Sequence, residues 1–368
     1  MLYLDHAATT PLRPAAREAW LEASELLNAG GQYALGRRAR SALDQAREDI
    51  ADCLGCEPIE VIFTASGTEA DNLAVQGLFF ASSHNRILSS PIEHPAVKET
   101  VSALVKHGAE VEFLPVSHTG HVSVTAAVGQ PAALVTCMWA NNETGAIQPI
   151  AELIDAAGAN PVHVDAVQAV GHIPVDFHQV GATTLAASAH KFGGPRGVGL
   201  LLARRSPALT PVLHGGGQER GIRPGTVDVA GAVATAVALK EATAEMAAER
   251  RRLAALRDQL WDVVRQLPDV TLHTHEPALP GHLNFTVSGA EGDSLIMLLD
   301  SLQIAASTGS ACSNGVNRAS EVLLAMGVKE QQARGALRFS LGRTTESVAQ
   351  LTSVLADVVA RARIAGMA

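Results

Sequence analysis

Apolar residues recur along the chain in two registers. Short compact runs at Val61–Ala65, Arg86–Ser90, Glu110–Val116, Ala132–Trp139, Pro161–Asp165 and Val198–Ala203 alternate with longer stretches in which apolar positions return every three or four residues, as over Pro14–Leu27, Arg37–Leu54 and Glu69–Ala81. The first pattern predicts strands and the second amphipathic helices. Strands alternating with helices predict an α/β domain with a mostly parallel sheet covered on both faces. From about Val229 to Leu267 the helical pattern runs unbroken and links two domains. The C-terminal part beyond Leu267 reads strand, strand, helix, loop, helix, strand, helix, an α+β unit of its own. The boundaries expected are a large domain over 14–245 and a small one formed by 1–13 and 246–368.

Composition narrows the class. At 368 residues the chain can bury two cores, and a formal net charge of −9 speaks against a nucleic-acid surface. No apolar run approaches the ~20 residues that span a bilayer, and the first ten residues carry no basic-then-apolar pattern, so a cytoplasmic protein without a membrane partner is expected. Of the four cysteines, Cys53 and Cys56 lie where a helix ends, without a second Cys/His pair at zinc spacing, and read as packing. Cys137 sits in an apolar run and reads as core. No metal site is expected. Cys312 differs, because Ser307-Thr-Gly-Ser-Ala-Cys-Ser-Asn-Gly-Val-Asn317 offers it few apolar neighbours, as suits a thiol that reaches a thiolate state and attacks a ligand.

The candidate chemistry collects at strand ends. Ser188, His190 and Lys191 close the run Thr183–Ser188, and a glycine-rich turn comes next. A lysine after a strand is ordinarily a surface residue. One held partly desolvated beside hydroxyl and imidazole groups becomes the free amine that condenses with an aldehyde. Asp165 closes another β-branched run, and a carboxylate paired with an imine-forming lysine is what pyridoxal phosphate needs, the carboxylate holding the protonated pyridine nitrogen. Gln168 can donate to the ring's phenolic oxygen. Ser66-Gly67-Thr68 joins a strand to a helix start, where free N–H groups suit a phosphate, although an ordinary cap has the same look. His94 at a strand-to-helix junction can stack on a planar ring and move protons. Asn142 comes after the run Ala132–Trp139. Arg338, in the apolar run Ala336–Gly342, calls for a carboxylate partner from substrate or protein. His214-Gly-Gly-Gly-Gln-Glu-Arg-Gly-Ile-Arg-Pro-Gly-Thr226 is a loop that needs a partner to order it.

With these residues assembled, the sequence resembles the cysteine desulfurases, pyridoxal-phosphate enzymes of fold type I in the class-V aminotransferase group. The likeness runs through Tyr3–Pro11, Ser66–Asn72, Glu93-His94, Asn141–Gly145, His163–Ala166, Ser188–Lys191, Gly215–Arg220, Arg223–Thr226, Ser310–Ser313 and Arg338–Gly342. It implies a seven-stranded, mostly parallel large domain with a smaller α+β domain. It implies that Lys191 binds the cofactor, that Asp165, Gln168 and His94 contact its ring, and that Gly67, Thr68, Ser188 and His190 hold its phosphate. Thr226 would reach the neighbouring subunit's phosphate, making the enzyme a homodimer. Asn142, beside the cofactor, and Arg338 would bind the carboxylate of L-cysteine. Cys312 would take the sulfur as a persulfide, L-alanine would leave, and the sulfur would pass to an iron–sulfur scaffold or a tRNA-thiolating enzyme. His94 would handle the thiol proton. The chain departs from the family at Asn28-Ala-Gly-Gly-Gln-Tyr33, which lacks the usual Pro and His and is expected to loosen that loop.

Two other readings compete. A selenocysteine lyase or another lyase or transaminase of the same fold would share the cofactor residues, and a scaffold that only docks sulfur acceptors would have no need of them. Cys312 discriminates against a transaminase, and Lys191, Asp165 and His94 against a scaffold.

Overall fold

The structure, a computed structural model, describes residues 1–309 and 319–366; Cys312 lies outside the described residues. In chain order the strands are β1 (Leu2–Tyr3), β2 (Val61–Thr64), β3 (Arg86–Ser89), β4 (Glu110–Phe113), β5 (Leu134–Thr136), β6 (Val162–Asp165), β7 (Thr184–Ser188), β8 (Gly199–Ala203), β9 (Val270–Leu272), β10 (His282–Val287), β11 (Ile304–Ala305) and β12 (Ala336–Ser340). Seven of them form one sheet in the order β2-β8-β7-β6-β5-β3-β4. Only β8 is antiparallel to its neighbours, whereas β7, β6, β5, β3 and β4 pair in parallel.

Apart from the largely exposed edge strand β4, both faces of this sheet are buried, and the side chains divide between them with the period of two that a pleat imposes. Ile62, Ile87, Leu134, Ala186 and Leu201 join a core under the helices Gly67–Ala81 and Pro95–Leu104. Their chain neighbours Val61, Phe63, Leu88, Val135, Leu185, Leu200 and Leu202 join the core on the opposite face, with Ala34–Leu54, Ile150–Ala157 and the first half of Val229–Val264. Val229–Val264 is a single 36-residue helix. Its C-terminal half, with Leu253, Leu256, Leu260 and Val264, enters a separate core built with β10, β12 and the helices Gly292–Ser301 and Ala349–Gly366. There β12-β10-β9 form an antiparallel sheet and β1 pairs with β11.

The first thirteen residues serve both units. Leu2–Tyr3 pair with β11 and Asp5 bridges to Ser340, while Thr10 and Arg13 bond to the His190 and Gly193 carbonyls just after β7 of the seven-stranded sheet. The first helix ends at Ala23 rather than Leu27, because the Ser24 hydroxyl and N–H turn back onto the Leu21 carbonyl. Cys137 is fully buried, and Cys53 and Cys56 pack part-buried against the large core. Burial pushes the Cys53 thiol up and the Cys56 thiol to about 12, so neither is a ready nucleophile. The 28–33 loop is closed locally. The Asn28 carboxamide accepts the Gly30 N–H at 2.8 Å, and Gly36 passes so close to Gly31 that a Cβ there would lie 2.2 Å from its carbonyl oxygen. The turn is therefore tied down without the family's Pro.

Candidate active site

The parallel strands end on one edge of the sheet, where ligands of open α/β sheets sit. A cavity of about 1050 Å³ opens there, and Gly67, Thr68, His94, Asn142, Asp165, Gln168, Ser188, His190, Lys191 and Arg338 all line it. Thr226 does not; it is exposed, on a loop held by an Arg223–Glu69 ion pair at 3.0 Å and a part-buried Arg47–Glu219 pair at 2.6 Å.

Lys191 stands after β7 in a 3₁₀ turn. Three successive carbonyls of that turn are captured. The Thr10 hydroxyl donates to His190 at 2.7 Å, the His172 Nε2–H to Lys191 at 3.0 Å, and the Arg13 Nε–H to Phe192 at 3.0 Å. Arg13 is itself anchored to Glu241 and Glu245 on the long helix. The Lys191 amine reaches the Ala7 and Ala8 carbonyls at 2.5 and 2.9 Å. Burial, helped by the Arg338 charge and opposed by Asp165 and Asp5, lowers its pKa to about 8. Far more of the amine is thus neutral near neutral pH than in an ordinary lysine, although the charged form still predominates.

Asp165 ends β6, and its Oδ1 accepts the Val167 N–H at 2.9 Å. Two more carboxylates are buried beside it, Asp71 on the helix Gly67–Ala81 and Glu93 after β3. Burial, and next the charge of Asp165, push both well above the usual carboxylate range. Burial also raises Asp165, but His94, the Val167 N–H and Lys191 draw it back. Asp165 is therefore the member of the three best placed to carry the charge. Asp71 is bridged through His163, neutral between the Asp71 carboxylate at 3.2 Å and the Thr184 hydroxyl at 2.9 Å.

His94 caps the helix Pro95–Leu104, its Nδ1 accepting the Ala96 N–H at 3.1 Å. That contact fixes the proton of the neutral ring on Nε2, and burial lowers the pKa further. Opposite, Ser66 caps the helix Gly67–Ala81 by accepting from Glu69, so the Gly67 and Thr68 N–H groups lie at the positive helix start. Gly67 is required by packing, since a Cβ would stand 2.7 Å from Val167 Cγ2. Gln168 donates to the Ala7 carbonyl at 2.9 Å, beside the lysine amine. Of the Asn pair, Asn141 builds the turn, accepting the Glu143 and Thr144 N–H groups at 2.9 Å, and Asn142 faces the cavity. Arg338 donates to the Asn142 carbonyl at 2.8 Å and pairs with Asp5 at 2.5 Å.

The sequence matches the aminotransferase class-V family over residues 2–351. The chain belongs to that family. It is 48% identical to the IscS-like cysteine desulfurase of Mycobacterium tuberculosis, over 100% of this chain and 98% of the relative. It is 40% identical to the cysteine desulfurase IscS of Methanosarcina thermophila, over 98% and 93%. Among solved structures, a NifS-like protein superposes with a TM-score of 0.91 at 32% identity, covering 98% of this chain and 99% of that one. The architecture is accordingly that of the fold-type-I enzymes of this pyridoxal-phosphate-dependent family. The donor set suits that group, with a partly neutral amine, a buried carboxylate and a helix start converging on one cavity. Sequence reasoning missed Asp5, Arg13, Asp71, Glu93 and His172. Asp5, Asp71 and Glu93 stand inside the motifs Tyr3–Pro11, Ser66–Asn72 and Glu93-His94 but were given no role there, and Arg13 and His172 carried no signal.

Proposed function

We infer that the protein is a cysteine desulfurase that converts L-cysteine to L-alanine and passes the sulfur to Cys312. The convergence of Lys191, Asp165, His94 and Arg338 on one cavity carries the reading, together with near-full-length similarity to cysteine desulfurases. Pyridoxal phosphate, when bound, supplies an aldehyde and an electron sink. Lys191 would hold it and, as a partly neutral amine, take and return the substrate's Cα proton. The Asp165 carboxylate would face the pyridine nitrogen, Gln168 the phenolic oxygen, and the His94 ring the cofactor face. Gly67, Thr68, Ser188 and His190 would hold the phosphate. Asn142 and Arg338 would receive the substrate's carboxylate. The Cys312 thiolate would attack the substrate's sulfur, forming a persulfide and breaking the Cβ–S bond.

Thr226 is exposed and close in sequence to the anchored Arg223, which suits a residue offered to a second copy, and a homodimer is proposed on that basis. The sulfur acceptor would be an iron–sulfur scaffold, as the IscS names of the relatives suggest, or a tRNA-thiolating enzyme. Among the described residues no helix is long and apolar enough to cross a membrane, and a cytoplasmic site of action is proposed.

The test is sulfide and alanine release from L-cysteine with pyridoxal phosphate and a reductant, comparing wild type with Cys312→Ser. Matched products in wild type and loss of both in the variant are expected. Equal release from the variant would return the reading to a lyase or transaminase.

A further inference from the structure

Arg338 is almost fully buried on β12, and its side chain meets two different surroundings. Toward the cavity it is a lining residue, with Nη1 donating to the Asn142 carbonyl at 2.8 Å. On another side Nη2 meets the Asp5 carboxylate at 2.5 Å. Asp5 is not among the residues that line the cavity. It is fixed by the bridge that sets it opposite Ser340, and by its carbonyl, which accepts the Ala8 N–H at 3.1 Å and the Tyr3 hydroxyl at 2.9 Å. The Arg338 Nε is buried and has no partner among the described residues.

We propose that Asp5 is a positioning residue that sets how strongly Arg338 takes a carboxylate, and so makes the site discriminate amino acids from bare carboxylic acids. This rests on the reading that Arg338 receives the substrate's carboxylate. A buried guanidinium without a counter-charge is costly, and Asp5 supplies that charge from within the chain. The same pairing leaves little net charge to attract a second carboxylate. A ligand offering only a carboxylate gains little from such a site. One that also carries an amine gains a second hold at the Lys191 end, about which Asp5 has no contact to offer. The opposed influence of Arg338 and Asp5 on the Lys191 amine supports the electrostatic link.

The test is calorimetric titration of the cofactor-loaded protein with 3-mercaptopropionate, which has the thiol and carboxylate of cysteine but no amine. Asp5→Asn keeps an oxygen for the Arg338 N–H and removes the charge. Its Kd is expected to fall about five-fold, and KM for L-cysteine to fall by less, so that discrimination narrows. Asp5→Glu, which keeps the charge, is expected to stay within about two-fold of wild type. An Asp5→Asn affinity equal to or weaker than wild type would overturn the proposal, as would equal tightening in Asp5→Glu. Arg338→Gln is expected to lose the binding. If it binds as wild type does, Arg338 is not the carboxylate receptor and both readings fall, whereas failure confined to the Asp5 variants removes only the Asp5 role. The titration involves no turnover, so it is independent of whether sulfide is released.

Discussion

Two regions meet at Lys191 and contribute in opposite ways. The strand ends of the large sheet deliver side chains of distinctive chemistry: Asp165 from β6, Ser188 and Lys191 from β7, His94 and Asn142 just beyond β3 and β5. The first thirteen residues deliver almost none of the reacting groups. They supply the Ala7 and Ala8 carbonyls to the lysine amine, the Thr10 and Arg13 donors to the His190 and Phe192 carbonyls on either side of it, and Asp5 to Arg338. On the proposed function, one region would provide reactivity and the other position. Losing the first should abolish chemistry, and losing the second should blunt it.

The largest effect is expected at Lys191. Lys191→Ala removes the amine and should lower alanine formation about a thousand-fold or more, and residual turnover near wild type would dissolve the contrast. Asp165→Asn leaves the shape of the β6 end intact while removing its charge, and should lower kcat about a hundred-fold. Arg13→Met tests the other region. It frees the Phe192 carbonyl and should cost about 2 kcal/mol in denaturant unfolding and about three- to ten-fold in kcat, with KM unchanged. A loss as deep as that of Asp165→Asn would make Arg13 part of the chemistry rather than of its support.

The most gradual effect, small per pH unit, is a pH slope in the cofactor-free protein. The Lys191 pKa falls from an ordinary 10.5 to about 8 in the fold. Between those values the unfolded chain holds a proton that the folded chain has released, so stability should rise with pH by up to about 1.4 kcal/mol per unit. Below pH 8 the cost of burying the charged amine is present in full and the slope vanishes. The comparison is unfolding midpoints across this range, with Lys191→Ala lacking that component.

The same contrast explains what can be read in the sequence. Residue types betray the strand-end layer, since a lysine, an aspartate and a histidine each ending an apolar run have few other uses together. The sheet is equally legible, because, its exposed edge strand β4 apart, both of its faces are buried and its strands stand out as short apolar runs between helical periods. Supporting residues have no such mark. Arg13 looks like a surface charge until the fold sets it against Glu241 and Glu245, Asp5 is legible only as part of a motif without a role of its own, and an alanine carbonyl has no identity in sequence at all. His172 stands after a glycine and gives no hint that its ring will meet the Lys191 carbonyl. The apolar period misplaces the end of the first helix because Leu26 and Leu27 continue it, while a single Ser24 hydroxyl stops the helix.

The most direct test of the account is where the sulfur goes. The cofactor-loaded protein, given one equivalent of L-cysteine without reductant, is digested and its cysteine peptides are weighed. One added sulfur atom is expected on the peptide carrying Cys312, with alanine formed in equal amount and the Cys53, Cys56 and Cys137 peptides unchanged. Alanine formed in full while the Cys312 peptide keeps its original mass would contradict it.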